Sequence, residues 1–339
     1  MDTAAPPVTS RVSAGTAVID LDRPAALNAL DLTMVRLITK ALEEWRDDPA
    51  VRSVVIRSTS PKAFCAGGDI RAVRDAGVRG DDAAVHTYFA AEYALNALIA
   101  GYPKPYTALI DGYAMGGGLG ISVHGSARVV TERAVLAMPE TAIGFFPDIG
   151  ASHFLPRLPG ATGWYLGLTG LRIGGAAAVE CGLATHYVPA AELPALEAAL
   201  LAGEPPAAAL DRYAAAAPPS ALAAHRPAVE RCFTAPDLGE LRGRLAAEDA
   251  DREWADETLA LLAAASPMSL AVTFGLLRAG AGSSLADCLA RELGLARRIA
   301  HAPDFHEGVR AALIDKDRAP AWSPYPWTGL SDAGRGHRP

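Results

Sequence analysis

PYTALIDGYAMGGGLGISVHG, residues 105–125, decides how this chain is read. An apolar run enters three consecutive glycines, and helix-like sequence follows. Buried strand, glycine turn and helix in that order make the repeating unit of a parallel α/β fold. The same unit stands earlier. VRSVVIRS (51–58) is a β-branched strand, and PKAFCAGGDIRAV (61–73) is a glycine turn that runs into a helix. Glycine removes the Cβ and lets backbone N–H groups approach a ligand. Two such turns aimed at one oxygen would form an oxyanion hole.

Working outward, GTAVIDLD (15–22) reads as a strand. In LTMVRLITKALEEWRDD, Val35, Ile38, Leu42 and Trp45 recur at helical spacing, and Asp31 is placed to cap that helix. Residues 81–101 read as a helix, 105–116 as one buried strand, and ARVVTERAVLAMPE (127–140) as further short strands. After about residue 195 the character changes. Residues 203–224 are rich in alanine and proline, which suits either a linker or helix, since alanine is the best helix former. From 226 to 317 the chain reads as helical, with LGELRGRLAAEDADREWADETLALLAAA as one stretch, and no internal repeat is seen. The expected division is a core over 1–200, a helical region over 201–322 and a loose tail over 323–339.

Composition narrows the function. With 31 basic and 38 acidic residues the net charge is −7, so the basic footprint of a nucleic-acid binder is missing. No apolar run reaches the roughly 18 residues of a membrane span. Cys65, Cys181, Cys232 and Cys288 lie far apart with no CxxC, which argues for reduced thiols and against a zinc site. The N-terminal MDTAAPPVTSRVSAG has no signal-peptide core, and the expected location is cytoplasmic. There is no phosphate loop, and GGGLG does not complete GxGxxG. There is no GxSxG elbow either. Ser122 and His124 resemble a nucleophile and base, but two positions apart on a helix they face different ways.

MPETAIGFFPDIG (138–150) places Glu140 and Asp148 in a turn-rich, otherwise apolar run. In a dry site, desolvation and like-charge proximity keep one of two carboxyls protonated. Such a pair offers a base or nucleophile together with an acid.

These stretches, in this order and spacing, resemble the crotonase (enoyl-CoA hydratase/isomerase) superfamily, and LDRPAALNAL (21–30) resembles its N-terminal signature. MPETAIGFFPDIGASHFLPRLPG (138–160) and DFHEGVRAALIDKDRAPAW (304–322) are more selective and resemble its 3-hydroxyisobutyryl-CoA hydrolase branch. The resemblance implies a spiral of ββα units with C-terminal helices covering the site. It implies a thioester carbonyl held by the N–H groups of Gly68 and Gly117, with Ala66 and Ile70 near the CoA arm. Arg23 becomes a candidate phosphate contact, although a solvated arginine is an equally good reading. On helical pattern alone Glu92 is an exposed glutamate, whereas the resemblance implies a substrate-pocket contact.

Hydratases of this superfamily place water with two glutamates. The first falls here on Gly120 and the second on Glu140, while Asp148 stands where hydratases carry glycine. The resemblance therefore implies a thioesterase of valine catabolism, with Glu140 attacking the thioester or activating water and Asp148 orienting the substrate or moving a proton. Coenzyme A enters as part of a small-molecule acyl-CoA substrate, with no metal, no other cofactor, no nucleic-acid or membrane partner, and a possible homo-oligomer. Hydratase or isomerase chemistry and a silent CoA-binding protein are the competing readings.

Overall fold

In the computed structural model, which describes residues 6–324, ten strands build two sheets. The strands are β1 (Val8–Ser13), β2 (Thr16–Leu21), β3 (Ser53–Ser58), β4 (Ala63–Cys65), β5 (Tyr106–Ile110), β6 (Tyr113–Met115), β7 (Ala127–Val130), β8 (Val135–Ala137), β9 (Ile173–Gly174) and β10 (His186–Tyr187). The larger sheet has the order β1-β2-β3-β5-β7-β10 and the smaller β4-β6-β8-β9. From β3 onward the chain lays one strand in the larger sheet and the next in the smaller, three times over. Pairing within these runs is parallel. This is the ββα spiral that the resemblance implies.

The run 105–116 is two strands, not one. It breaks at Asp111-Gly112, where Gly112 takes a φ of 90°, and the chain passes from one sheet to the other. Two neighbouring apolar strands joined by a single turn have no period that separates them from one longer strand. The hairpin strand β1 was also absent from the sequence reading. It pairs antiparallel with β2, Val8 opposite Leu21, but four of its six side chains are exposed, so no apolar pattern marks it.

The helix Leu32–Arg46 is capped by Asp31, which accepts from Met34 N–H at 2.8 Å, and buries Val35, Ile38, Leu42 and Trp45. Residues 81–101 form the helix Asp82–Ala100. The Ala/Pro-rich stretch is largely helical, Pro206–Tyr213 and the start of Ala221–Phe233. The single stretch expected from LGELRG onward is two helices, Leu238–Ala246 and Arg252–Ala264. Helices Pro267–Gly280, Leu285–Ile299 and Pro303–Val309 then return to the core. Most of the expected tail, residues 325–339, lies outside the described residues.

The returning helices pack on the loop that carries the two acids. Ser266 N–H donates to the Thr141 carbonyl at 3.0 Å. Phe145 stacks on Phe89 and meets Phe305 at a tilt of 50°, with ring centroids 5.5 and 5.4 Å away. Gly308 lies against the Ile143 backbone so closely that a Cβ there would overlap it. Neither backbone can yield cheaply, because both belong to packed elements. Gly308→Ala should therefore lift the helix Pro303–Val309 off the loop and lower stability by about 1–3 kcal/mol in a denaturant titration.

Candidate active site

The glycine turns after β4 and β6 meet face to face. A Cβ built on Gly117 would stand 3.2 Å from the Gly68 nitrogen, so the two backbones touch where side chains would have kept them apart. Parallel pairing of β4 with β6 delivers both turns to the same end of the small sheet. The bridge from Gly68 to Leu30 uses the Gly67 carbonyl and the Asp69 N–H, 2.8 Å each, and leaves the Gly68 N–H out. Gly117 opens the short helix Gly117–Gly120, and a first-turn N–H has no intrahelical acceptor. Among the described residues neither N–H has a hydrogen-bond partner. Two adjacent free donors are the geometry of an oxyanion hole.

Three carboxyl groups surround this point. A Cβ on Gly116 would lie 2.6 Å from Glu140 Oε1, and one on Gly117 would lie 2.5 Å from Glu92 Oε1. Glu140, Asp148 and Glu92 are all buried. The exposed reading of Glu92 is thus overturned. It lies on the face of its helix that also buries Val85, Tyr88, Phe89 and Asn96, and burial there outweighs its polarity. Among the described residues Glu92 Oε1 and Glu140 Oε2 have no protein partner, and neither does the side-chain amide of buried Asn96, one turn beyond Glu92. Buried polar atoms left this way are unusual in a native interior and mark a place where a ligand or water completes the set.

The carboxyls are not equivalent. Burial, and then the Asp148 charge, hold Glu140 well above the usual carboxylate range, and the same two causes act in the same order on Glu92. Asp148 is pushed up only to about 7, because burial is opposed by Tyr93, whose hydroxyl donates to Asp148 Oδ2 at 2.7 Å, and by its own backbone N–H. Asp148 is therefore the carboxyl of the Glu140–Asp148 pair that ionises more readily in the free protein, and Glu140 is the one that carries the proton.

The remaining expected residues fall out as follows. Ala66 gives its N–H to the Leu27 carbonyl and Ile70 to that of Gly68, so neither N–H is free for a ligand. Arg23 is held by Asp69 at 2.9 Å and by the Ala29 carbonyl at 2.8 Å, and an incoming phosphate would have to compete with that carboxylate. Ser122 Oγ donates to the Gly118 carbonyl at 2.9 Å, while His124 Nε2 meets the Ile149 carbonyl at 2.7 Å, so they form no dyad. Burial lowers the His124 imidazole to about 4. All four cysteines are free and buried. Among the described residues no cluster of His, Cys, Asp and Glu is arranged to hold a metal, and no single helix is long and apolar enough to cross a membrane.

At position 120, where the resemblance sets the first acid of a hydratase, this chain has glycine; a Cβ there would sit 2.8 Å from Asn96 Nδ2 and 3.1 Å from Ile149 Cβ, so the Asn96 amide would have to swing aside and Ile149 give by a few tenths of an ångström. Tyr93 and Glu292 were missed in the sequence. The signal for Glu292 is a lone carboxylate in the apolar stripe Cys288, Leu289, Leu295, Ala296 and Ile299 of its helix.

The sequence profile of the family described as enoyl-CoA hydratase/isomerase matches residues 16–334. Similar curated proteins include the mitochondrial 3-hydroxyisobutyryl-CoA hydrolase of Xenopus tropicalis, 46% identical over 317 residues, which cover 91% of this chain and 82% of that protein. The human protein of the same name is 41% identical over 319 residues, with the same two coverages. Among solved structures, a carnitinyl-CoA dehydratase from Mycobacterium thermoresistibile has a TM-score of 0.88 at 37% identity, covering 94% of this chain and 92% of that one. An enoyl-CoA hydratase from Rhodobacter sphaeroides 2.4.1 has a TM-score of 0.87 at 42% identity, covering 93% and 92%.

A raised carboxyl pKa is also a stability statement. Between the ordinary aspartate value and about 7 the native state binds the extra proton, so stability falls as pH rises through that window, and the penalty is complete above it. Asp148→Asn keeps an acceptor for Tyr93 and removes the buried charge. Its stabilisation should be larger at pH 8 than at pH 5 by on the order of 2 kcal/mol, read from paired denaturant titrations.

Proposed function

The chain belongs to the enoyl-CoA hydratase/isomerase family, and from that premise we propose that it hydrolyses a short 3-hydroxyacyl-CoA thioester, 3-hydroxyisobutyryl-CoA first among them. One observation carries the choice of hydrolysis over hydration: Gly120 stands where the first hydratase acid falls, and a side chain there would press on the Asn96 amide and on Ile149. The names of the similar proteins divide between hydrolase and hydratase, and the fold alone does not choose between them.

The thioester carbonyl oxygen lies against the N–H groups of Gly68 and Gly117, which stabilise the negative charge that develops as the carbon becomes tetrahedral. Glu92 and the pocket around it receive the acyl group and its hydroxyl. Glu140 and Asp148 share one proton. On substrate binding that proton moves from Glu140 to Asp148, which leaves a Glu140 carboxylate beside the hole. Glu140 then attacks the thioester carbon, or takes a proton from the water that attacks it. The C–S bond breaks, and the departing thiolate takes the proton from Asp148. In either route one water is consumed and the products are free CoA and the 3-hydroxy acid; the oxygen the acid gains comes from water in the direct route, and from Glu140 when water opens the anhydride at the Glu140 carboxyl carbon. A single turnover in ¹⁸O-labelled water that leaves label in Glu140 and an unlabelled acid establishes the covalent route, since label enters Glu140 only if it has carried the acyl group.

Coenzyme A is part of the substrate in this scheme, and no metal or redox group takes part. A homo-oligomer and a cytoplasmic location belong to the same proposal; the mitochondrial location is that of the vertebrate relatives by name.

Thiol release from 3-hydroxyisobutyryl-CoA, run beside hydration of crotonyl-CoA, tests the reading. Fast thiol release with negligible hydration is the expected result, and hydration without thiol release sinks it. Glu140→Gln and Asp148→Asn should each lower kcat by about 10²–10⁴-fold. The pH profile of kcat/KM should fall on the acid side near 7, well above the ordinary carboxylate range, because below it both members of the pair are protonated and no base is left.

A further inference from the structure

Asp148 is followed by two residues with positive φ, Ile149 at 56° and Gly150 at 84°. For glycine that conformation is free of strain. For a β-branched residue it is an outlier that persists only where the surroundings over-determine it. The restraint comes from a distant part of the chain. Glu292, fully buried on the helix Leu285–Ile299, accepts from Gly150 N–H at 2.7 Å through Oε2. Through Oε1 it accepts from Ser152 N–H at 3.0 Å and from Ser152 Oγ at 2.5 Å. His124 holds the Ile149 carbonyl from the other side. The segment that aims Asp148 at Tyr93 is thus gripped by one carboxylate that has no other partner among the described residues.

We propose that Glu292 is a positioning residue for the reaction: it holds Ile149 and Gly150 in the left-handed conformation and thereby sets the direction of the Asp148 carboxylate. It does not touch the substrate. Three donors converge on it from one loop, and all three lie two to four residues beyond Asp148. If Glu292 served only to anchor its own helix, that helix's other buried side chains, Cys288, Leu289, Leu295, Ala296 and Ile299, would suffice. An apolar residue would then replace it at less desolvation cost. The inference rests on the reading that Asp148 takes part in thioester cleavage.

Glu292→Gln is the sharp probe, because it keeps the shape but turns one acceptor into an NH₂ that faces an N–H donor. With 3-hydroxyisobutyryl-CoA as substrate, kcat should fall by about 10²-fold while KM changes by less than about threefold, since a misplacement near 1 Å costs that much. A crystal structure of the variant should show Ile149 relaxed to negative φ and Asp148 withdrawn from Tyr93. Ser152→Ala removes one donor without leaving a buried charge unpartnered, and should lower kcat several-fold at unchanged KM; it serves if Glu292→Gln does not fold. A kcat within about threefold of wild type in the variant that folds, or a rise in KM with kcat intact, overturns the proposal. The failure of the functional reading looks different. In that case wild type releases no thiol, and the crystal structures decide: Asp148 still 2.7 Å from Tyr93 in Glu292→Gln overturns the positioning role, and a displaced Asp148 supports it.

Discussion

Everything chemical in this molecule depends on two glycine turns whose main chains touch. Gly68 and Gly117 carry free N–H groups to one point only because neither has a Cβ, and because β4 and β6 pair in parallel and end together. The small sheet has little other purpose. Its strands are two or three residues long, too short to stand alone, and they are held by the larger sheet beside them. The spiral, which sends alternate strands to alternate sheets, is what brings successive turns to the same place.

Around that point the protein accepts an electrostatic debt. Three carboxyls lie in a dry region where burial and the Asp148 charge raise the proton affinity of Glu140 and Glu92, and Glu92 Oε1, at the glycine turn, has no partner among the described residues. Such an arrangement opposes folding, and the C-terminal helices hold it in place. They pack Phe305 against Phe145, seat Gly308 on Ile143, bond Ser266 to Thr141 and extend Glu292 to Gly150 and Ser152. The helices are therefore part of the site in a mechanical sense, although none of the sequence motifs that mark the site lies on the long ones among them.

The fold was legible wherever period and punctuation agree. Asp31 capped its helix, and both glycine turns lie where the sequence places them. What stayed hidden is of one physical kind: features that exist only through tertiary contact. The strand β1 has an exposed pattern and is a strand because β2 lies beside it. Asp111-Gly112 divides two strands because two sheets need them. At the site, Glu140, Asp148, Gly68 and Gly117 were legible because motifs carry them, and Glu92 through the resemblance alone. Its helical pattern suggested exposure, yet it sits in a buried stripe with Tyr88, Phe89 and Asn96. Tyr93 and Glu292 have no local signature apart from polarity among apolar neighbours, and their partners lie 55 and 140–142 residues away.

The packing at Gly120 ties the last glycine of the GGGLG run to the loop that carries Asp148. A Cβ there would press on the Asn96 amide, the mobile end of its side chain, and on Ile149 Cβ at 3.1 Å, which must give by a few tenths of an ångström. Ile149 is the residue held at a φ of 56° directly after Asp148. A side chain at position 120 would therefore be felt first by the backbone that aims the carboxyl, and the two positions behave as one mechanical lever rather than as independent sites.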